Sequence, residues 1–349
     1  MPAVTSGKAL VTGANGFLAT WIIRKLLERG FSVRGTVRSE SKIAPLKQVF
    51  ADFGDKFEVV VVEDITKKGA FDEAVKGVDL IQHPASPVHM NAIEPDEQIV
   101  PAVNGTVGVL ESALAYGTSV KRVVYTSSCG AVRGVETTTP RRYSEADWNE
   151  ASVADVRARG RAAGQLSKYQ ASKVLAERAA WDFVEKHKGS IGWDLVACCP
   201  PWIFGPTLQP VKEPEQMNDS MRIWFQATIK GTDDSGIPQE KEFFTKFGMT
   251  WIDVRDAAEA LIVAGEKEQA AGERIIISNG PWKGQDLLNA ARKYYPQVPV
   301  GDETYHPATA THLTTFDTSK ADRLLGVKYR TLEDSTRDII EQFKGKGWI

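Results

Sequence analysis

Cysteine is scarce in this chain: of 349 residues, Cys129, Cys198 and Cys199 alone carry thiols, and two of the three are adjacent. Such spacing makes neither a disulfide framework nor a metal-ligand set, and it fits a reducing compartment. Net charge is nearly absent as well, with 43 Lys and Arg against 45 Asp and Glu for a formal balance of -2. No broad attraction to nucleic acid or to an anionic membrane follows, so a small molecule is the expected partner. No apolar run approaches the roughly 18 residues of a membrane span, and Met1 to Lys8 leads into a strand-like segment without a basic-then-apolar leader. These readings predict a cytoplasmic protein with neither nucleic acid nor membrane as a partner, monomeric or homodimeric. Internal repeats and low-complexity tracts are lacking too.

What is present is an alternation. Lys8 to Thr12, Phe31 to Val37, Phe57 to Val62, Asp79 to His83, Lys121 to Thr126 and Trp193 to Cys198 read as strands, with helical stretches such as Thr20 to Arg29 between them. That order predicts an α/β fold, a doubly wound parallel sheet of Rossmann type. From Pro200 onward strands become sparse while prolines and tryptophans increase. Residues 1–199 are therefore expected to form the nucleotide-binding core. Residues 200–349 are expected to form mainly a smaller C-terminal substrate lobe, with some segments returning to the core.

The first strand ends in Gly13-Ala-Asn-Gly16-Phe-Leu-Ala19, a glycine loop between strand and helix. In that context glycines let the main chain approach a pyrophosphate, and the helix N-terminus favours the anion. Gly13, Asn15, Gly16, Phe17 and Leu18 are the candidate dinucleotide contacts. A site selective for NAD would place an acid at the end of the second strand to hold the ribose 2′-hydroxyl. That acid is missing. Arg38 and Lys42 stand there instead, suited to a 2′-phosphate, which predicts NADPH/NADP+. Asp64 and Ile65, after the third strand, are candidate adenine contacts, although Asp64 is equally suited to capping a following helix. Pro84, Ala85 and Ser86 after the fourth strand, within His83-Pro-Ala-Ser-Pro87, and Thr126 at the end of the fifth, are expected to face the cofactor. His83 reads as a packed strand-end residue.

Tyr169 and Lys173, in Tyr169-Gln-Ala-Ser-Lys173, fall one turn apart on one helix face. A cation beside a phenol of pKa about 10 favours the phenolate and lowers that pKa. Taken with Gly13, Gly16, Ala19, Arg38 and Ser128, the pair resembles the short-chain dehydrogenase/reductase superfamily, in its extended branch. Thr36-Val-Arg38, Ala102-Val-Asn-Gly105, Tyr169 through Trp181, Phe204-Gly-Pro206 and Trp251-Ile-Asp-Val-Arg-Asp256 resemble the dihydroflavonol-reductase-like group more closely. That group includes fungal and yeast NADPH-dependent methylglyoxal and carbonyl reductases.

The resemblance implies an oxidoreductase in which Tyr169 protonates a carbonyl oxygen as NADPH delivers hydride to its carbon. Lys173 would lower the tyrosine pKa and bind the nicotinamide ribose, while Ser128 would donate to the carbonyl oxygen. Ser127 would be structural. Pro200 and Ile203 would meet the nicotinamide. A small-molecule aldehyde or ketone is the implied substrate. Epimerase, dehydratase or hydroxysteroid-type chemistry and a non-enzymatic NADP sensor are the alternatives on the same fold. Asn104 is offset from the superfamily's catalytic asparagine and stays out of the set. Asp253 reads as a helix cap and Trp224 as core. The polar stretch from Val135 to Gln165, carrying Arg141, Arg142, Arg157, Arg159 and Arg161, reads as a solvated basic loop, with a lid or partner surface as the alternative.

Overall fold

The computed structural model describes residues 3–86, 91–134 and 138–349. Met1, Pro2, Pro87 of the His83 segment and Val135 at the start of the polar stretch lie outside the described residues. Strands β1 (Lys8–Val11), β2 (Ser32–Val37), β3 (Phe57–Val61), β4 (Leu80–His83), β5 (Arg122–Thr126), β7 (Asp194–Cys199) and β10 (Arg274–Ile276) form one sheet. Every pairing in it is parallel, in the order β10-β7-β5-β4-β1-β2-β3. Chain order reverses between β1 and β4, so a crevice opens beyond their carboxyl ends. Two small parallel pairs stand apart, β6 (Arg141–Tyr143) with β11 (Thr314–Phe316) and β8 (Trp202–Phe204) with β9 (Trp251–Asp253).

Successive strand residues point to opposite faces, and in this sheet both faces are apolar. Val124 packs toward helices α1 (Phe17–Glu28) and α8 (Val254–Glu266). Its neighbours Val123 and Tyr125 pack toward α3 (Asp96–Tyr116) and α5 (Gln165–His187). The remaining helices are α2 (Ile43–Val49), α4 (Glu150–Arg159), α6 (Asp219–Phe225), α7 (Lys241–Lys246), α9 (Gly284–Arg292), α10 (Ser319–Leu324) and α11 (Leu332–Gly345). Although they follow Pro200, α8 covers the main sheet and β10 extends its edge.

Three sequence expectations change here. Helix α1 begins at Phe17 rather than near Thr20, so Gly16 occupies its N-cap and no side chain caps the turn. The polar stretch after Gly134 is more than loop. It contains β6 and α4, and α4 buries Val153 and Val156 against Ala171 and Val174 of α5. Its arginines are largely ion-paired, Arg141 with Asp147 at 2.7 Å, Arg142 with Asp317 at 3.1 Å, Arg159 with Asp155 at 2.5 Å and Arg161 with Glu94 at 2.5 Å. Finally, α3 is long and apolar enough to cross a membrane by length and composition, which the absence of an unbroken apolar run concealed. In this fold it lies against α5, with Ala102, Gly105, Val109 and Ala113 buried.

Candidate active site

The glycine loop is tied to both neighbouring strands. Gly13 N donates to Thr36 Oγ1 at 3.1 Å and Ala14 N to Thr36 O at 2.7 Å, anchoring the loop on β2. Thr12 Oγ1 lies 2.9 Å from His83 Nδ1 and accepts from Ala85 N at 3.2 Å, which fixes the end of β1 against β4. Gly13 adopts φ +61, and a β-carbon there would meet that of Ala85 at 3.2 Å, so glycine answers both backbone and space. The uncapped amides at the start of α1 lie just beyond, an arrangement that fits a dinucleotide phosphate.

At the carboxyl ends of the strands a cavity of about 530 Å³ opens. Gly13, Gly16, Phe17, Leu18, Pro84, Thr126, Ser128, Tyr169, Lys173, Pro200 and Ile203 all line it. Asn15, Arg38, Lys42, Asp64, Ile65, Ala85 and Ser86 lie outside its wall. Arg38 and Lys42 are exposed past the end of β2, and no salt bridge engages them among the described residues. Asn15 O accepts from Gln209 Nε2 at 2.8 Å, so a loop of the carboxyl-terminal part covers the glycine turn. Asp64 caps no helix; its Oδ1 accepts from Thr66 N at 2.9 Å and Thr66 Oγ1 at 2.7 Å, closing a turn and holding its pKa down. Ile65 packs where α3 comes closest: a β-carbon on Gly105 would meet Ile65 Cδ1 at 2.8 Å.

Strand β5 delivers Ser127 and Ser128, and helix α5 delivers Tyr169 and Lys173. Ser128 Oγ accepts from Gly130 N at 2.9 Å and hydrogen-bonds to the Tyr169 side chain. The Lys173 ammonium lies 5.8 Å from the Tyr169 ring centroid. Burial pushes the phenol's pKa up, against the lowering effect of Ser128. The expected depression of Tyr169 by Lys173 is therefore not found. Lys173 is only 4% exposed, and the same burial brings its own pKa down to about 8. The Pro200 turn is bonded to the serine loop, Cys129 N donating to Pro200 O at 2.9 Å.

Several members of this neighbourhood were not singled out from sequence. Trp202, Asn218, Asp219, Arg222, Met249, Thr314 and Phe316 bring β8, α6 and the β6–β11 pair to the outer wall of the cavity. Beneath the serines, the carboxylate of Glu177 is fully buried and pairs with Arg274, Nε to Oε1 at 2.6 Å. Ser127 Oγ donates to its other oxygen at 2.5 Å. The available signal was the spacing, since Glu177 follows Lys173 by one further turn on the same face. Asn104 is exposed on α3, His83 is buried, Trp224 packs on Phe343, and Asp253 caps α8 by accepting from Arg255 N at 2.8 Å.

Residues 9–278 match the family model described as the NAD dependent epimerase/dehydratase family. A ketoreductase of Aspergillus niger is 35% identical over 346 residues, covering 95% of this chain and 96% of the relative. An NADPH-dependent methylglyoxal reductase of Saccharomyces cerevisiae is 33% identical over 354 residues, covering 96% and 98%. The crystal structure of yeast methylglyoxal/isovaleraldehyde reductase complexed with NADPH superposes with a TM-score of 0.86 at 31% identity, covering 98% of this chain and 100% of that one.

Proposed function

The chain belongs to the NAD dependent epimerase/dehydratase family, and from that membership we propose that it is an NADPH-dependent carbonyl reductase converting small aldehydes or ketones to alcohols. The observation that carries this reading is the convergence of Ser128, Tyr169 and Lys173 on one cavity beside a glycine loop. Relatives named as ketoreductase and NADPH-dependent methylglyoxal reductase, similar over nearly the whole chain, support it. Three free, buried thiols suit the cytosol.

NADPH, when bound, supplies the hydride that reduces the carbonyl carbon. The side chains manage the proton. Tyr169, a phenol whose pKa burial pushes up, is the general acid that gives its proton to the carbonyl oxygen. Ser128 Oγ donates to the same oxygen as negative charge grows on it. Lys173, whose ammonium lies 5.8 Å from the Tyr169 ring centroid, would hold the nicotinamide ribose. Arg38 and Lys42 would take the 2′-phosphate, Asp64 and Ile65 the adenine, and Thr126, Pro84, Pro200 and Ile203 the nicotinamide end. Residues 1–199 would thus carry most of the cofactor site, and the later elements the substrate wall.

The test follows NADPH absorbance across small aldehydes, diketones, ketoesters and flavanonols, with wild type and Tyr169→Phe side by side. Wild type should consume NADPH with some of them, and the variant should bind NADPH normally while turning over about 10²-fold more slowly or worse. Near-normal turnover by Tyr169→Phe would refute the assignment.

A further inference from the structure

Resting on the reductase reading above, we propose that Glu177 is a positioning residue of the reaction. Its carboxylate, held by Arg274, locks the Ser127–Ser128 strand end against the helix that carries Tyr169 and Lys173.

Both carboxylate oxygens are engaged. Oε1 accepts from Arg274 Nε at 2.6 Å and Trp181 Nε1 at 3.3 Å. Oε2 accepts from Ser127 Oγ at 2.5 Å and lies 3.3 Å from Arg274 Nη2, with Cys199 Sγ at 3.8 Å. Ser127 and Ser128 both border the cavity just past the end of β5; with the Ser127 hydroxyl held by Glu177, the backbone from which Ser128 reaches Tyr169 is fixed. Arg274 extends the lock outward. Its Nη1 donates to Glu145 O at 2.8 Å and Asp147 O at 2.6 Å, and its guanidinium stacks 3.8 Å from the Trp148 ring centroid. Residues 145–148 thus serve as the outer half of the clamp. Glu177 also acts on Lys173 through charge. The ammonium is desolvated, and the negative charges of Cys199, if ionised, and Glu177 favour its protonated form, whereas His83 faces it as a neutral imidazole. Burial holds the Cys199 thiol protonated, which leaves Glu177 as the acting anion.

A plain structural role predicts loss of stability alone. The positioning role predicts a kinetic signature, read in the full-length chain with three variants: Glu177→Gln, Ser127→Ala, and Glu177→Leu with Arg274→Met, in which neither charge is left buried alone. NADPH affinity is measured first by fluorescence titration and should stay within about threefold in all three. Turnover should then fall about tenfold or more in Glu177→Gln and in the double variant, and several-fold in Ser127→Ala, with substrate KM little moved. If Lys173, whose pKa burial brings down to about 8, governs an alkaline limb of turnover, that limb should move to lower pH in the two variants lacking the Glu177 charge and stay in place in Ser127→Ala. A double variant that regains full turnover, or an alkaline limb that ignores loss of the carboxylate, overturns the proposal. Should Glu177→Gln fail to fold, the double variant and Ser127→Ala decide alone. A wild type inert toward every carbonyl would instead defeat the reductase reading, which separates the two failures.

Discussion

Burial inside the sheet holds His83 neutral: its pKa is pushed down to about 3, first by desolvation and then by the nearby Lys173 ammonium. The unfolded chain protonates the same imidazole near its ordinary value of about 6.5. Between those two values the unfolded state binds about one more proton, so stability is fully present above about pH 6.5 and drains away as pH falls toward 3. In His83→Gln that contribution vanishes. Denaturant unfolding measured from pH 6.5 to 4 should show a slope shallower than wild type by about 1.4 kcal/mol per pH unit. Equal slopes would mean that the folded imidazole titrates normally. Lys168 shows the opposite solution for a buried nitrogen. It is 2% exposed, and its ammonium donates to Ala92 O at 3.0 Å, Ile93 O at 2.8 Å and Arg161 O at 3.0 Å, which satisfies its three protons.

At the scale of elements, the Trp251-Ile-Asp-Val-Arg-Asp256 motif has a structural explanation. Asp253 is fully buried, caps α8 and pairs with Arg255 Nη2 at 2.8 Å, while Arg255 Nη1 reaches Asp338 of α11 at 2.6 Å. Asp256 receives Arg330 N at 2.6 Å. Asp253→Asn keeps a cap acceptor and loses the charge; Asp253→Ala loses both. Thermal or chemical unfolding should find the alanine variant less stable than the asparagine variant by about 1 kcal/mol, with turnover per folded molecule unchanged in both. A selective loss of turnover would move Asp253 into the chemistry. The strands and the glycine loop were legible in the sequence because parallel strands buried on both faces read as apolar runs and because a tight turn beside a ligand demands glycine. Tyr169 and Lys173 were legible as a pair because one four-residue spacing carries them, Ser128 was named through the family resemblance, and the three line one cavity. Glu177 had a local signal in its spacing from Lys173, but its pairing with Arg274 had none, since nothing local in the chain announces a partner 97 residues away. The outer wall was equally hidden: Thr314 and Phe316 reach the cavity only through the pairing of β11 with β6. Arginine-rich composition disguised β6 and α4 as loop, because their arginines are balanced by acids scattered from Asp147 to Asp317.

For the whole molecule, cofactor binding is a stability term. A ligand bound only by the folded state adds about 2.7 kcal/mol at one hundred times its Kd. On the proposed role of Arg38 and Lys42, NADPH should raise the melting temperature more than NADH at equal concentration. Arg38→Ala with Lys42→Ala should erase most of that difference, whereas an unchanged gap between the two nucleotides would remove the basis for the NADP preference.

The parallel pairing of Arg141–Tyr143 with Thr314–Phe316 joins positions separated by nearly half the chain. A ribosome will have released the glycine loop, both serines, the tyrosine and the lysine long before it reaches Thr314. The nascent chain can therefore hold its crevice-forming strands early and still lack one side of the cavity they open onto. Completion of that chamber waits until Thr314 and Phe316 have emerged, so a polypeptide stalled or clipped before them would carry the glycine loop and the serine, tyrosine and lysine with one side of their cavity open.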